Sequence, residues 1–329
     1  MAEKTGAWER FSDERARRHC RVSAQGFIFA PRVFPSEAPS RRLRGEREFI
    51  FAPRVLNQSD MLRLARTFAA LKQRNERAFI PFVTCGDPDL DTTEQLALAY
   101  LDAGADVLEI GIPFTDPLAD GPTIQRASER ALKSGTTMGS AFELLRRLRG
   151  QTDAPLVPMT YINPVWQMGF DRFAESMKAA GADGVIISDL PPEEGALWVE
   201  AGRKHALDTV FLLAPTSDSA RVERVAKSAS GFVYAVARLG VTGARTDVPL
   251  EVGDLVQALR AVCDTPVCAG FGFSQPDQIR ATIAATDVDG IVVASALIDR
   301  FEKAQGSSAQ RIEEVRAYAR ELKDATRSG

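Results

Sequence analysis

The sequence predicts an α/β protein built as a closed (β/α)8 barrel, preceded by an atypical N-terminal extension. From Met61 onward, eight short runs with β-branched residues alternate with helical stretches, a pattern typical of parallel βαβ units. Two helical stretches end on the same Ala-Gly-Ala-Asp sequence, at 103–106 and 180–183, immediately before a strand. No Gly-x-Gly-x-x-Gly motif follows the first strand, which disfavours an open dinucleotide-binding sheet.

The eight predicted strands follow one another with a helix after each. The first two are the runs Ala-Phe-Ile-Pro-Phe-Val and Asp-Val-Leu-Glu-Ile, and the others are four to seven residues long and similarly apolar. In order they are 78–83, 106–110, 155–161, 184–188, 209–213, 231–235, 266–269 and 290–294. Eight such units in residues 61–329 predict a single-domain TIM barrel.

Composition narrows the class of protein. Of 329 residues, 45% are hydrophobic and 26% charged, which is ordinary globular usage. The net charge of −3 provides no basic field for nucleic acid or an anionic membrane surface. The longest apolar runs, such as 290–294, are too short to span a bilayer. We therefore expect no nucleic-acid partner and no membrane span.

The potential metal ligands are few. Four cysteines show no CxxC spacing and there are only two histidines, so we expect no metal site. The same cysteine usage favours a reducing, cytoplasmic compartment.

Residues 1–60 differ from the rest of the chain. They are rich in arginine and repeat Phe-Ile-Phe-Ala-Pro-Arg-Val at 27–33 and 49–55, while eight acidic residues argue against a transit peptide. We interpret them as an N-terminal extension, either disordered or translated from upstream of the true start. A short docking motif is the alternative.

Glu109 is the first candidate for chemistry. It lies in the apolar run Val107-Leu108-Glu109-Ile110, and strand alternation points it into the barrel. Burial favours the protonated form of a carboxyl group, which suits acid-base chemistry near neutral pH. A structural carboxylate satisfied by a buried partner remains the alternative.

The segment 111–125 is the most distinctive of the chain. It reads Gly-Ile-Pro-Phe-Thr-Asp-Pro-Leu-Ala-Asp-Gly-Pro-Thr-Ile-Gln, and its three prolines hold Asp116 and Asp120 in defined positions. This run resembles the tryptophan synthase α family. Further similar motifs occur, in the family's order, at 79–88, 188–191, 234–243 and 270–272, so the resemblance runs from Met61 to the C-terminal helix.

The resemblance implies a reaction and two catalytic residues. Family members cleave indole-3-glycerol phosphate to indole and glyceraldehyde 3-phosphate in a retro-aldol step, and the indole passes to a β subunit for tryptophan synthesis. Glu109 matches the general acid-base glutamate, and Asp120 matches the aspartate that accepts the indole N–H. Glu109 should start protonated and Asp120 ionised. A turn-stabilising role is the alternative for Asp120.

Substrate contacts follow from the same resemblance and from strand ends. Phe82, Tyr161, Tyr234, Phe271 and Leu190 are expected to wall an indole pocket, although each aromatic residue can equally be core. For the phosphate, the predicted residues are Gly243, Gly272, Ala294 and Ser295. The family generally has Gly-Ser where this chain has Ala294-Ser295, and alanine does not easily adopt a positive φ. Ser295 is also a candidate N-cap.

The resemblance further implies a lid and a partner. Residues 238–247 match the family's mobile loop, and Thr242 matches the threonine that contacts the catalytic aspartate, although an exposed loop is the plain alternative. The expected partner is the β subunit, in an α2β2 tetramer. This chain itself is expected to hold no cofactor, with pyridoxal phosphate in the partner. Asp116, Asn163 and the turn 191–192 lie on loops suited to that contact.

Two other functions remain open at this stage. Other phosphate-binding barrels of the pathway, such as indole-3-glycerol phosphate synthase or phosphoribosylanthranilate isomerase, need a catalytic lysine or cysteine. No predicted strand end has a lysine, and Cys85 and Cys268 have no base nearby in sequence. A non-catalytic barrel acting as a binding subunit is the second alternative.

Overall fold

Eight parallel strands form a barrel in the computed structural model, which describes residues 61–236, 250–270 and 272–327. The strands are β1 (Ala78–Thr84), β2 (Leu108–Gly111), β3 (Leu156–Thr160), β4 (Gly184–Ile187), β5 (Asp208–Leu213), β6 (Val233–Val236), β7 (Val267–Gly270) and β8 (Gly290–Val293). Each pairs with the next in chain order, and β8 pairs with β1, which closes the barrel. The predicted (β/α)8 fold is confirmed.

Twelve helices are present in the described part of the chain. They are α1 (Arg63–Gln73), α2 (Leu90–Asp102), α3 (Pro122–Lys133), α4 (Met138–Arg149), α5 (Ile162–Met168), α6 (Phe170–Ala180), α7 (Ala196–Lys204), α8 (Ser219–Ser228), α9 (Leu250–Arg260), α10 (Pro276–Thr286), α11 (Ser295–Lys303) and α12 (Ser308–Thr326). No helix in these ranges is both long and apolar enough to cross a membrane.

Strand bounds differ from the predicted ones by one or two residues. The run at 106–110 begins its ladder only at Leu108, and the run at 155–161 ends at Thr160. The reason is that the apolar pattern indicates which residues are buried. A strand, by contrast, begins and ends where the neighbouring strand supplies hydrogen-bond partners.

Alternation along each strand separates two cores. In β1, Ala78 and Ile80 point into the barrel, while Phe79 and Val83 pack outward against the helices. The inward residues of the other strands continue this interior, as in a packed barrel. Three side chains of α1 join them at the amino ends of the strands: Leu64, Phe68 and Leu71. Helix α1 thus plugs one end of the barrel and leaves the carboxyl end for a site.

Three aspartates, of which Asp183 is buried and Asp106 and Asp289 are half-buried, anchor strands at the plugged end. Each aspartate lies just before one strand and accepts a backbone N–H from the first or second residue of the strand before that one. Each also pairs with a lysine or arginine from a helix. The sets are Asp106 with Phe79 and Lys323, Asp183 with Leu156 and Arg149, and Asp289 with Val267 and Arg260. The aspartate of the Ala-Gly-Ala-Asp sequence therefore has a structural role.

Candidate active site

A cavity of about 410 Å³ opens at the carboxyl ends of the strands. This volume lies within the range of small-molecule sites. Of the predicted site residues, seven line it: Phe82, Glu109, Asp120, Tyr234, Gly272, Ala294 and Ser295. Thr242, Gly243, Phe271 and the predicted lid lie outside the described residues.

Glu109 lies at the base of the cavity, on the inward face of β2. It is 1% exposed and is paired in register with Phe82 on β1 and Val157 on β3. Its Oε2 atom has no hydrogen-bond partner. Burial, reinforced by the nearby charge of Asp120, raises the pKa of Glu109 to about 8. The carboxyl group is therefore protonated at neutral pH and has an oxygen free to meet a ligand.

Asp120 approaches the same space from the loop between β2 and α3. Its backbone N–H donates to the Pro117 carbonyl at 3.1 Å, and its own carbonyl accepts Nε2 of Gln125 at 2.9 Å. Burial raises the pKa of Asp120 to about 6, against the lowering effect of a hydrogen bond from the Tyr161 hydroxyl. At neutral pH this group is ionised while Glu109 keeps its proton.

Tyr161 does not line the cavity, contrary to expectation. Because β3 ends at Thr160, Tyr161 is the N-cap residue of α5 and leaves the strand alternation. Its ring stacks on Phe114 with centroids 5.1 Å apart, and its oxygen accepts the Ala119 N–H at 3.2 Å. It lies behind the Asp120 loop and supports it. Leu190, also expected as a wall, belongs to the outer core.

Two glycines allow aromatic rings to reach the cavity. A Cβ on Gly111 would lie 2.3 Å from Cζ of Phe82, and one on Gly270 would lie 2.4 Å from Cε2 of Tyr234. Each ring therefore lies across the end of a neighbouring strand, in space that any other residue would fill. Tyr234 also faces Glu109 closely enough for the carboxylate to raise the phenol pKa further, after burial itself.

The other end of the cavity carries backbone groups suited to an anion. Gly272 has φ of +75°, and Ala294 is the N-cap of α11 with φ of −117°. Because this φ is negative, the backbone here does not require the family's glycine. Ser295 is the first residue of the helix, so the expectation that it caps α11 is wrong; no side chain caps this end. The helix N-terminus therefore faces the cavity with free N–H groups.

Apolar residues missed by sequence reasoning join the two ends. Met159, Leu212 and Val292 are inward residues near the carboxyl ends of β3, β5 and β8, and Ile124 comes from α3. Strand alternation, applied to every strand as it was to β2, predicts the first three. They give the cavity an apolar middle between the carboxyl pair and the anion end. In the described ranges, no group of three histidine, cysteine or acidic residues is arranged to hold a metal ion.

Known proteins resemble this chain along the whole barrel. The family model described as tryptophan synthase alpha chain matches residues 68–327. The alpha chain of Geobacter sulfurreducens is 46% identical over 265 residues, which cover 80% of this chain and 99% of that protein. The alpha chain of Picosynechococcus is also 46% identical, over 266 residues, 80% of this chain and 99% of that one.

Solved structures agree with the sequence relatives. A tryptophan synthase structure from Mycobacterium tuberculosis has a TM-score of 0.74 and 35% identity, covering 82% of this chain and 99% of that chain. The alpha subunit from Legionella pneumophila has a TM-score of 0.73 and 33% identity, covering 81% and 98%. With a cavity that joins a protonated and an ionised carboxyl group, the chain belongs to the tryptophan synthase alpha chain family.

Proposed function

We propose that this chain cleaves indole-3-glycerol phosphate to indole and glyceraldehyde 3-phosphate with Glu109 and Asp120 as its catalytic residues. One observation carries the assignment of roles: both groups line one cavity, and their pKa values lie on opposite sides of neutrality. A retro-aldol cleavage of an indole needs a proton donor and a separate anion at the same time.

The proton transfers that the reaction needs match the protonation states of Glu109 and Asp120. The Glu109 carboxyl group donates its proton to C3 of the indole ring, and positive charge develops on the ring nitrogen. The Asp120 carboxylate accepts the ring N–H and stabilises that charge. Glu109, now ionised, takes the proton of the side-chain hydroxyl while the bond between C3 and the glycerol carbon breaks. The bond electrons restore the indole, an aldehyde forms, and Glu109 ends protonated as it began.

The remaining parts of the substrate match the rest of the cavity. The indole ring fits the apolar middle between Phe82 and Tyr234. The phosphate fits the backbone N–H groups at Gly272 and at the start of α11, Ala294 and Ser295. Phe271, Thr242 and Gly243 complete this proposal from the sequence, since they lie outside the described residues.

Indole release from purified protein tests the proposed roles. We expect wild-type protein to release indole, and Glu109→Gln and Asp120→Asn to lose at least about 10²-fold in kcat. Asp208→Asn is the matched control, because Asp208 is a buried carboxyl group at the amino end of β5, away from the cavity. Wild-type protein that releases no indole contradicts the function. A fully active Glu109→Gln variant contradicts the mechanism alone.

We also propose a β subunit as partner, in an α2β2 tetramer, with pyridoxal phosphate bound by that subunit and not by this chain. Two large apolar side chains on the carboxyl face support a docking surface: Leu118 is 86% exposed and Trp166 is 67% exposed. Asp116 and the turn at 191–192 lie on loops of the same face, whereas Asn163, also expected on a loop, lies in the first turn of α5 on that face. Indole leaving the cavity would emerge beside this surface.

Two further parts of the proposal concern the chain as a whole. We assign catalysis to residues 61–329 and treat 1–60 as an extension, since the family match starts at residue 68. The cytoplasm is the proposed compartment. Its reducing conditions suit Cys85, Cys263 and Cys268, the described cysteines, all of which are unpaired.

A further inference from the structure

One buried hydroxyl group lies between the two halves of the Asp120 loop. Tyr161 is 3% exposed and is not among the residues that line the cavity. It is the N-cap residue of α5 and lies outside the loop that it contacts. Its oxygen accepts the Ala119 N–H at 3.2 Å. Asp120 is the next residue along the chain, and the Tyr161 hydroxyl group lowers the pKa of its carboxyl group.

The ring of Tyr161 holds the other half of the same loop. It stacks on Phe114 at 5.1 Å with an angle of 24° between the planes. Phe114 comes shortly after the end of β2, and Ala119 precedes Asp120, so a single side chain contacts both ends of the segment. Stacking and hydrogen bonding together leave the loop little freedom to rotate Asp120.

Tyr161 is itself held by a neighbouring strand end. Oδ1 of Asp189, which follows β4, accepts the N–H of Ile162 at 2.7 Å. This contact fixes the first turn of α5 directly after Tyr161 and places the ring. The chain of contacts runs from Asp189 through α5 and Tyr161 to Asp120.

We infer that Tyr161 is a positioning residue for the cleavage reaction: its hydroxyl group, which accepts the Ala119 N–H, and its ring, which stacks on Phe114, hold the loop so that the Asp120 carboxylate meets the indole N–H. The inference rests on the proposed function and adds a residue that does not touch substrate. The other titratable groups that face Asp120 are Glu109 from β2 and Tyr234 from β6. Neither is altered by removing the Tyr161 hydroxyl, so that group can be tested separately.

The first test is Tyr161→Phe, which keeps the ring on Phe114 and removes only the hydroxyl group. We expect kcat for indole release to fall by about 10- to 100-fold, the effect of losing a hydrogen bond to a charged group, while KM changes by less than about 3-fold. The hydroxyl lowers the pKa of Asp120, so its loss raises that pKa. The acid limb of the pH profile should therefore move to higher pH.

Two comparisons separate this role from a merely structural one. Tyr100→Phe removes the hydroxyl of another buried tyrosine, on α2, and should leave kcat and the acid limb unchanged. In an Asp120→Asn background, Tyr161→Phe should cost little more, because the two residues act as one unit. Independent, multiplicative losses in the double variant would overturn the inference.

An isosteric replacement guards against a variant that fails to fold. 3-Fluorotyrosine at position 161 keeps the shape of the side chain and makes its hydroxyl a stronger donor, so the acid limb should move to lower pH. An acid limb equal to that of wild type, in both this protein and Tyr161→Phe, would overturn the inference while indole release itself persists. If wild-type protein releases no indole, the proposed function is what fails.

Discussion

At the scale of single residues, Glu109 and Asp120 differ because of what surrounds them. Glu109 lies on a strand among apolar side chains, with an oxygen that has no partner, and burial raises its pKa to about 8. Asp120 lies on a loop, where the Tyr161 hydroxyl offsets part of the burial effect and leaves the pKa at about 6. Two carboxyl groups thus take different protonation states in one cavity.

These pKa values predict a bell-shaped pH dependence of kcat/KM, with its maximum between about pH 6 and about pH 8. Below this window Asp120 takes up a proton and no longer accepts the indole N–H as an anion. Above it Glu109 loses the proton that it must donate. Initial rates of indole release across the range check the shape. A rate that rises steadily through pH 9 would contradict the assignment of Glu109 as the acid.

The same shifts have a cost in stability. Both folded pKa values are raised above those of the free side chains, 4.5 for glutamate and 3.8 for aspartate, so the folded state binds more protons. The free energy of unfolding therefore falls as pH rises through these ranges, from the unfolded value of each group to its folded value. The raised pKa values that suit catalysis therefore lower the free energy of unfolding at neutral pH.

At the scale of elements, the aspartates at the plugged end of the barrel connect neighbouring strands to helices. Asp183 is the most connected of them: it accepts the Leu156 N–H and pairs with both Arg149 and Arg63. Arg63 is the first residue of α1, so this carboxylate also fastens the helix that plugs the barrel. The fold at this point is stabilised by the negative charge of Asp183, and a neutral polar side chain does not replace it.

Asp183→Asn should lower the free energy of unfolding by about 3 kcal/mol, because it removes the charge of a buried carboxylate that pairs with the half-buried Arg63 and Arg149. Urea unfolding followed by circular dichroism measures the change. The matched control is Asp277→Asn, since Asp277 is 96% exposed and pairs with Arg280 on its own helix; its effect should be below about 0.5 kcal/mol. Equal losses in both variants would contradict the role given to Asp183.

Strand alternation predicts the direction of Glu109 on β2 correctly and that of Tyr161 after β3 wrongly. Alternation alone places Glu109 inside the barrel, because the side-chain period of a strand is two and Val107 shares its face. The same reasoning extended the third strand to Tyr161 and made its ring a wall. The strand stops at Thr160, where α5 begins, and a carboxylate 27 residues away accepts the first N–H of that helix. The local sequence pattern does not identify a hydrogen-bond partner that lies so far along the chain.

At the scale of the whole molecule, α1 closes the amino end of the barrel with Leu64, Phe68 and Leu71, all of which follow residue 60. Deletion of residues 1–60 should leave kcat/KM within about 2-fold and the melting temperature within a few degrees, since the catalytic cavity and the plug remain. Deletion of residues 1–73 also removes Leu64, Phe68 and Leu71 from the interior core and should unfold the protein. Loss of activity in the shorter deletion would show that the extension is part of the working enzyme.

The proposed partner surface is also a property of the whole molecule. Leu118→Asp and Trp166→Asp should weaken activation by a β subunit by at least about 10-fold while leaving indole release by the isolated chain unchanged. Val262→Asp is the control, because Val262 is 48% exposed but follows α9 at the opposite end of the barrel. Titration of each variant with the β subunit measures the apparent affinity. Equal weakening by all three would contradict a carboxyl-face interface.

The sequence by itself determined the eight-unit barrel, the inward direction of Glu109 and the family to which the chain belongs, since each depends on periodicity or on motifs contiguous along the chain. Only the tertiary structure decided the position of Tyr161 and the negative φ of Ala294, and it assigned causes to the different protonation states of Glu109 and Asp120 that the resemblance implies. These features depend on groups far apart in sequence. Burial and hydrogen-bond partners, which set both backbone geometry and pKa, exist only once the barrel has closed.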